Sequence, residues 1–263
     1  MANKRSARKR NSTIKATEKQ TQDKQKFLFQ VFVTVLILLS YGFFIAHPVN
    51  LTVGDLGRHL KNGQLFIENQ WIATTNLYSY THTDYPFINH HWGSGVIFYL
   101  LERSVGFSGL SFAFIAISLV TLLVFFSVAA KYSSFALAAP IAVMVIPVLI
   151  TRHEVRPEIF SYLLSGLFLQ ILWGFKYRKL GFWWLLLLPI LEIFWVNLHI
   201  YFFIGIMLIA VFLLESLIVS LMNSNYQDSV QQLKGLALTL SLTILAACLN
   251  PAGISGAIYP FLI

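Results

Sequence analysis

Long apolar runs alternate with short polar stretches along most of this chain. Several runs are near 20 residues, the length of a helix that crosses the roughly 30 Å hydrocarbon core of a bilayer. Strands of a membrane β-barrel would show short alternating segments, and these runs do not alternate. The pattern predicts an all-α integral membrane protein with about seven transmembrane helices. The predicted spans are 27–46, 107–130, 134–150, 158–175, 181–197, 199–221 and 235–249.

The apolar stretch 181–222 is too long to be one helix. Its 42 residues would extend about 63 Å at 1.5 Å per residue. Asn197 and His199 interrupt the apolar pattern near its middle. We therefore expect the chain to reverse at Trp195–His199, between the fifth and sixth spans.

The polar stretch 47–105, between spans one and two, predicts a structured loop. Gly54–Glu68 has apolar residues at helical spacing and predicts a short amphipathic helix. Residues 69–88 are rich in Asn, Thr, Asp and Pro and are expected to be irregular. Asn89 is the predicted cap of a second helix that ends at Arg103. Both helices are expected to lie along the membrane surface.

Composition and charge support the membrane class. Hydrophobic residues make up 57% of the chain and charged residues 11%, against roughly a quarter charged in soluble domains. The net charge is +8, and residues 1–26 carry nine Lys/Arg against two acids. We expect this segment to be a disordered cytoplasmic tail near anionic lipids, followed by a membrane domain at 27–263. The tail lacks a folded nucleic-acid-binding module, so no nucleic-acid partner is expected.

The basic residues between spans predict the orientation. The positive-inside rule places them, with the N-terminus, in the cytoplasm of a multi-pass cell-membrane protein, and the 47–105 loop outside. These residues are Lys131, Lys176, Arg178, Lys179 and Lys234. All seven histidines then fall on the outer side: His47, His59, His82, His90, His91, His153 and His199. A protein that collects its polar chemistry at one face is expected to work at that face.

Six short motifs follow one another along the chain: Asp55-x3-His59-x3-Gly63, Asn76-Leu-Tyr-Ser79-Tyr-Thr81, His90-His91-Trp92, Arg156-Pro157-Glu158, Trp195-x-Asn197-x-His199 and Asn250-Pro251-x-Gly253. In this order they resemble the motifs of bacterial multispanning proteins related to the GT-C glycosyltransferases, including glycosyltransferase family 39. The resemblance covers roughly residues 50–260. Since the chain ends in an apolar stretch at Ile263, we expect it to be part of a longer protein.

Three positions depart from the family pattern. Asn76 stands where the family usually has Asp, His91 where it has Glu, and Arg58 where an aromatic is common. The loop therefore has fewer carboxylates than the family, which argues against a two-carboxylate or metal-dependent site. No metal ligand or cofactor is predicted, and a divalent metal ion is kept as an alternative.

The resemblance implies an enzyme that transfers a sugar from a polyprenyl-phosphate carrier to an envelope acceptor on the outer face. Such chemistry requires a base for the acceptor proton and cations for the departing phosphate. Asp55, with His59 one turn on, is the predicted catalytic pair. Asp55 as a metal ligand, or as a structural partner of His59 or Arg58, is the alternative. Arg152 and Arg156 are predicted to bind the carrier phosphate, with an ion pair to a neighbouring glutamate as the alternative.

The remaining candidate residues are predicted to contact substrate. They are His90, His91, Trp92, Asn197 and His199. A polar-aromatic belt at the membrane interface is the alternative for the first three, and satisfaction of backbone groups at the chain reversal is the alternative for the last two. Two other functions stay open: a non-catalytic membrane scaffold and a lipid or solute transporter. Glu192, an acid inside span five, is expected to face a cavity or to pair with Arg152 or Arg156.

Overall fold

The computed structural model describes residues 2–49, 55–222 and 226–262, and the regular secondary structure of this part is helical apart from one isolated bridge between Thr75 and Pro86. The α-helices are α1 (Ala2–Ile45), α2 (Leu56–Asn69), α3 (Trp92–Tyr132), α4 (Phe135–Leu149), α5 (Glu158–Lys176), α6 (Phe182–Leu185), α7 (Leu187–Leu198), α8 (Phe203–Met222), α9 (Tyr226–Ala247) and α10 (Gly253–Ile258). Single 3₁₀ turns occur at Ile150–Arg152, Ile200–Phe202 and Tyr259–Phe261.

Within the described residues, six helical segments are long and apolar enough to cross a membrane. They are Thr17–Ile45, Trp92–Tyr132, Phe135–Arg152, Glu158–Lys176, Ile200–Met222 and Val230–Ala247. The predicted fifth span is a shorter apolar segment, Phe182–Leu198. The structure therefore confirms an all-helical architecture with helices of membrane-spanning length and composition, and a seventh span stays a prediction.

The predicted chain reversal is confirmed at the end of α7. His199 has extended backbone angles (φ −158°, ψ 146°), and a 3₁₀ turn then leads into α8. Asn250 forms a second turn, in which its side-chain amide donates hydrogen bonds to the carbonyl oxygens of Ala247 and Gly253, both at 2.9 Å. Gly253 adopts φ 58°, a left-handed conformation that favours glycine.

The first helix is longer than the sequence pattern indicated. It begins at Ala2 and runs without a break into the first apolar span, where a disordered tail was predicted for residues 1–26. Lys, Arg, Gln, Glu and Ala all have high helix propensity. Once the apolar part has formed a helix, adding residues to its end is far easier than starting a new helix.

The 47–105 loop contains the two predicted helices, with different boundaries. Gly54, the predicted start of the first, lies outside the described residues. The second begins after His91, not after Asn89, and His91 makes no side-chain capping bond. It continues past Arg103 into the second span, because the chain only kinks at Gly106 (φ 68°, ψ −175°) and helical residues resume at once.

Two glycines bring α2 against the start of α3. A β-carbon at Gly63 would lie 2.0 Å from the carbonyl oxygen of Gly95, and one at Gly95 would lie 2.7 Å from that of His59. The backbones therefore touch, and larger side chains at these positions would separate the helices. Since α2 carries Asp55 at its N-cap and His59 in its first turn, this contact positions both residues.

Cations and aromatic rings gather at one end of the helix bundle, which we call the basic end. The ring of Tyr132, at the end of α3, stacks on Tyr177, just after α5, and the Lys179 ammonium lies 5.1 Å from the Tyr132 centroid. Lys176 forms an ion pair with Glu215 of α8. The residues predicted to share one side of the membrane are thus found at one end of the bundle.

Candidate functional site

The opposite end, which we call the polar end, is formed by α2, the start of α3, the segment 150–157 and the reversal at 198–202. Trp92 joins two of these segments, because its indole N–H donates to the Asn197 side-chain oxygen at 2.8 Å. Rings of His47 and His153 meet at 4.9 Å and join the end of α1 to the segment after α4. The structure therefore brings every predicted site residue to the same end.

A cavity of about 130 Å³ lies where α4 ends and α5 begins, and we call it the arginine cavity. Its lining includes Phe114, Thr151, Arg152, Glu154, Arg156 and Tyr162. Arg156 pairs with Glu154 (Nη2 to Oε2, 2.5 Å), so the ion-pair alternative holds for this arginine. Its Nε is buried and has no hydrogen-bond partner among the described residues. Arg152 is exposed, so the cavity offers a guanidinium that an anion can reach.

A second cavity, of about 270 Å³, adjoins the arginine cavity, and we call it the central cavity. Phe114 and Glu154 line both. The His47 and His153 rings also line the central cavity, together with Leu56, the first residue of α2. Because Asp55 precedes Leu56, the predicted acid stands beside this cavity.

An apolar groove of about 650 Å³ lies next to both cavities. It is lined by Phe43 and Phe44 of α1 and by Pro147 and Ile150 at the end of α4. His47 and His153 also line the central cavity, and Thr151 also lines the arginine cavity. An apolar groove, a central cavity and a cavity with two arginines therefore adjoin one another.

The carboxylate of Asp55 lies at the surface and pairs with Arg58 (2.9 Å), with 63% of its side chain exposed. It makes no side-chain bond to His59, which is only 3% exposed. The described contacts include no hydrogen bond between these two side chains, and the catalytic roles of Asp55 and His59 stay predictions. Asp55 is the N-cap residue, outside the helical repeat, so the four-residue spacing does not place the two side chains on one face.

Four histidines from three segments meet in the interior of the polar end, and we call them the histidine cluster: His59, His90, His91 and His199. The His91 ring lies at its centre, with centroid distances of 4.2 Å to His90, 5.0 Å to His199 and 5.2 Å to His59. Nδ1 of His59 and Nδ1 of His90 are buried without a hydrogen-bond partner among the described residues.

Burial keeps these imidazoles neutral. Burial first, and the nearby Arg58 guanidinium second, lower the pKa of His59 to about 4. Burial also lowers the pKa of His90 to about 4. The pKa of His91 is well below its usual value, first through burial and then through the neighbouring histidines. At neutral pH the cluster therefore offers hydrogen-bonding groups without net charge.

A buried chain of hydrogen bonds fixes one member of the cluster. Trp195 Nε1–H donates to Ser161 Oγ at 2.7 Å, and Ser161 Oγ lies 2.7 Å from His199 Nδ1. The backbone N–H of Tyr201 also points at His199 Nδ1, at 3.5 Å. An indole or amide N–H can only donate, so Ser161 donates to Nδ1 and the His199 proton sits on Nε2. Sequence reasoning missed Ser161, since a lone serine in an apolar helix carries no signal.

The amide of Asn197 is fully engaged within the protein. Besides accepting from Trp92, it donates to the carbonyl oxygens of Ile193 (2.7 Å) and Leu249 (2.9 Å). This is the backbone-satisfying role kept as an alternative for a chain reversal. Asn76, at a family acid position, accepts from the backbone N–H of Tyr78 at 3.2 Å and so closes its own turn.

Glu192 has neither of its expected arginine partners. It is fully buried in α7, and both carboxyl oxygens lack a hydrogen-bond partner among the described residues. Arg156 is instead engaged with Glu154. A β-carbon on Gly205 of α8 would lie 2.7 Å from a Glu192 oxygen, so the two helices are closely packed around this acid.

Comparisons of the chain with family models, with curated proteins and with solved structures found no match. Within the described residues, no group of three or more histidine, cysteine or acidic side chains is arranged to hold a metal ion. The site must therefore be interpreted from its own geometry. That geometry comprises an exposed carboxylate, two arginines in a cavity, a neutral histidine cluster and an apolar groove.

Proposed function

We propose that this protein is a membrane glycosyltransferase of the GT-C kind, which transfers a sugar from a polyprenyl-phosphate carrier to an acceptor on the outer face. One observation carries the proposal: the apolar groove, the central cavity and the arginine cavity share lining residues. A polyprenyl phosphate needs this combination, because its chain requires an apolar surface and its phosphate requires cations.

In this proposal the carrier enters between α1 and α4. Its chain lies on Phe43 and Phe44, and its phosphate accepts hydrogen bonds from Arg152 and from the unpartnered Nε–H of Arg156. These cations stabilise the negative charge that collects on the phosphate as the bond to the sugar breaks. The sugar then occupies the central cavity, between the His47 and His153 rings and α2.

Asp55 is the proposed base for the acceptor hydroxyl. It stands next to the central cavity, and its exposure leaves it open to an acceptor that arrives from water. Arg58 takes over the orienting role first given to His59, because it holds the carboxylate at 2.9 Å. His59 of the histidine cluster belongs to α2, and its contact with the His91 ring at 5.2 Å helps to hold that helix in place.

The test is the rate of sugar transfer from a lipid-linked donor to the cell envelope, measured at equal membrane abundance of each variant. Asp55→Asn keeps the side-chain size and removes the base, and we expect a loss of roughly 10²–10⁴-fold. Asp84→Asn is the matched control, since it removes another exposed acid from the same loop and should leave the rate unchanged. Equal transfer by wild type and Asp55→Asn would exclude the catalytic role of Asp55.

A further inference from the structure

A pocket of about 510 Å³ lies at the basic end, between the turn that follows α5 and the first turns of α9. Its polar lining consists of Arg178, Lys179, Gln231, Gln232 and Lys234. The volume is within the roughly 300–1,000 Å³ typical of small-ligand sites. None of the described residues that line it is acidic, so the pocket is suited to an anion.

The backbone conformation at Arg178 indicates that this cation has a role in binding besides orienting the protein in the membrane. Arg178 adopts φ 54°, while the carbonyl oxygen of Gly174 accepts hydrogen bonds from the backbone N–H groups of Lys179 (2.9 Å) and Leu180 (3.1 Å). Such helix ends usually place glycine in the left-handed position. The chain therefore keeps a cation where the backbone favours glycine, a type of strain that is found at binding sites.

The pocket also has an apolar wall, formed by Phe175, Phe182 and Leu238. Next to it, Trp183 and Trp184 are 80% and 51% exposed. Tryptophan is enriched where a membrane protein meets the lipid headgroups. The pocket thus combines cations with apolar surface, and it adjoins exposed tryptophans of the kind enriched near phospholipid headgroups.

We propose that this basic pocket binds an anionic phospholipid, with the headgroup phosphate on Arg178, Lys179 and Lys234 and the acyl chains on the apolar wall. A free phosphate ion would present the same charge, but it would make no use of that wall. The site is separate from the polar end and does not depend on the proposed transferase activity.

The experiment is native mass spectrometry of the purified full chain in detergent, with phosphatidylglycerol and phosphatidylcholine at equal concentration. The wild type should retain phosphatidylglycerol in preference. The double variant Lys179→Gln/Lys234→Gln should retain roughly tenfold less of it, with phosphatidylcholine unchanged. Lys24→Gln/Lys26→Gln, which removes the same charge from α1, is the matched control and should behave as wild type.

A second variant separates binding from folding. Arg178→Gly removes a cation but supplies the residue that the left-handed backbone prefers. The variant should still unfold in one cooperative thermal transition, while phosphatidylglycerol retention falls several-fold. Unchanged retention in this variant would remove Arg178 from the site.

Three results would overturn the proposal. The first is no preference for phosphatidylglycerol in the wild type. The second is an equal loss in the Lys24/Lys26 control, which would mean non-specific attraction. The third is displacement of phosphatidylglycerol by inorganic phosphate at low millimolar concentration, which would make the pocket a site for free anions.

Discussion

The polar residues at the two ends of the helix bundle differ in their exposure to solvent. At the basic end the cations are largely exposed and lie against aromatic rings, as Lys179 does over Tyr132. At the polar end, imidazoles pack against one another: His59 and His199 are buried, and His90 and His91 are half-buried. Nδ1 of His59 and Nδ1 of His90 have no hydrogen-bond partner among the described residues. Exposed cations keep most of their hydration, whereas a buried polar group without a partner loses it.

The difference indicates that the polar residues at the polar end contribute less to the free energy of folding than those at the basic end. Exposed lysines and arginines at helix ends suffice to orient a membrane protein. A buried polar atom without a hydrogen-bond partner, such as Nδ1 of His59, costs free energy on folding. The polar end is therefore the better candidate for a working site, and the following predictions test that distinction.

The largest expected effect is on binding of the carrier. Replacing Arg152 and Arg156 together by Gln should weaken binding of polyprenyl phosphate to purified protein roughly a hundredfold or more, because each charge-assisted hydrogen bond contributes about 1.5–3 kcal/mol. Binding is measured by titration in detergent. Arg103→Gln, an exposed arginine on α3, is the control. Unchanged binding in the double variant would mean that neither arginine binds the carrier, and that Arg156 only forms its ion pair with Glu154.

The glycine contact between α2 and α3 should have the next largest effect. Gly63→Ala places a β-carbon against the carbonyl of Gly95 and should lower the free energy of unfolding by about 3 kcal/mol, since neither backbone can move without separating the helices. Gly57→Ala is the matched control, because nothing lies within 4 Å of its β-carbon. The measurement is the melting temperature of each variant, which should be lower for Gly63→Ala than for Gly57→Ala. Equal melting temperatures would show that α2 is not fixed by this contact.

Acid should loosen the polar end. The pKa of His59 is about 4 in the folded protein against an ordinary 6.5, so between these values the unfolded chain binds a proton that the folded protein does not. Stability is therefore complete above pH 6.5 and falls by up to ~3 kcal/mol for this group as the pH drops to 4. Melting temperatures from pH 7.5 to 4 should fall less steeply in His59→Gln. The same slope in both proteins would contradict the burial of His59.

The smallest effect is expected at Ser161. Ser161→Ala leaves the Trp195 indole N–H and His199 Nδ1 without their partner, and should cost about 1–3 kcal/mol of stability. Ser165→Ala is the control, because that hydroxyl only donates to the backbone carbonyl of Ser161 within its own helix. If Ser165→Ala lost as much stability as Ser161→Ala, the hydrogen bonds of Ser161 to Trp195 and His199 would contribute no more than an ordinary bond within a helix.

Periodicity and charge predicted much of the fold. The length of the apolar runs indicated the long helices, and Asn197 and His199 marked the chain reversal, because polar groups inside an apolar run need a reason to be there. Two boundaries were missed. The tail is helical because its residues favour helix next to a formed span, and α3 passes through Gly106 because one glycine can kink a helix without ending it.

Less of the candidate site was predictable. The sequence indicated which residues share an end of the bundle, since topology alone decides that. It could not indicate that His91 contacts both His59 and His199, because those contacts depend on how α2 and the reversal pack on α3. The ion pair between Asp55 and Arg58 was left open as an alternative, and only the folded chain shows that Arg58 reaches the carboxylate.

The most direct test of the central claim is to map where the carrier lies. A polyprenyl phosphate with a photoreactive group near its phosphate is added to membranes containing the full chain, and the cross-linked peptides are identified by mass spectrometry. The account predicts adducts at residues 43–47 and 147–156, which are lost when unlabelled polyprenyl phosphate competes. Competed adducts confined to residues 174–182 and 231–238 would place the carrier at the basic end and contradict it.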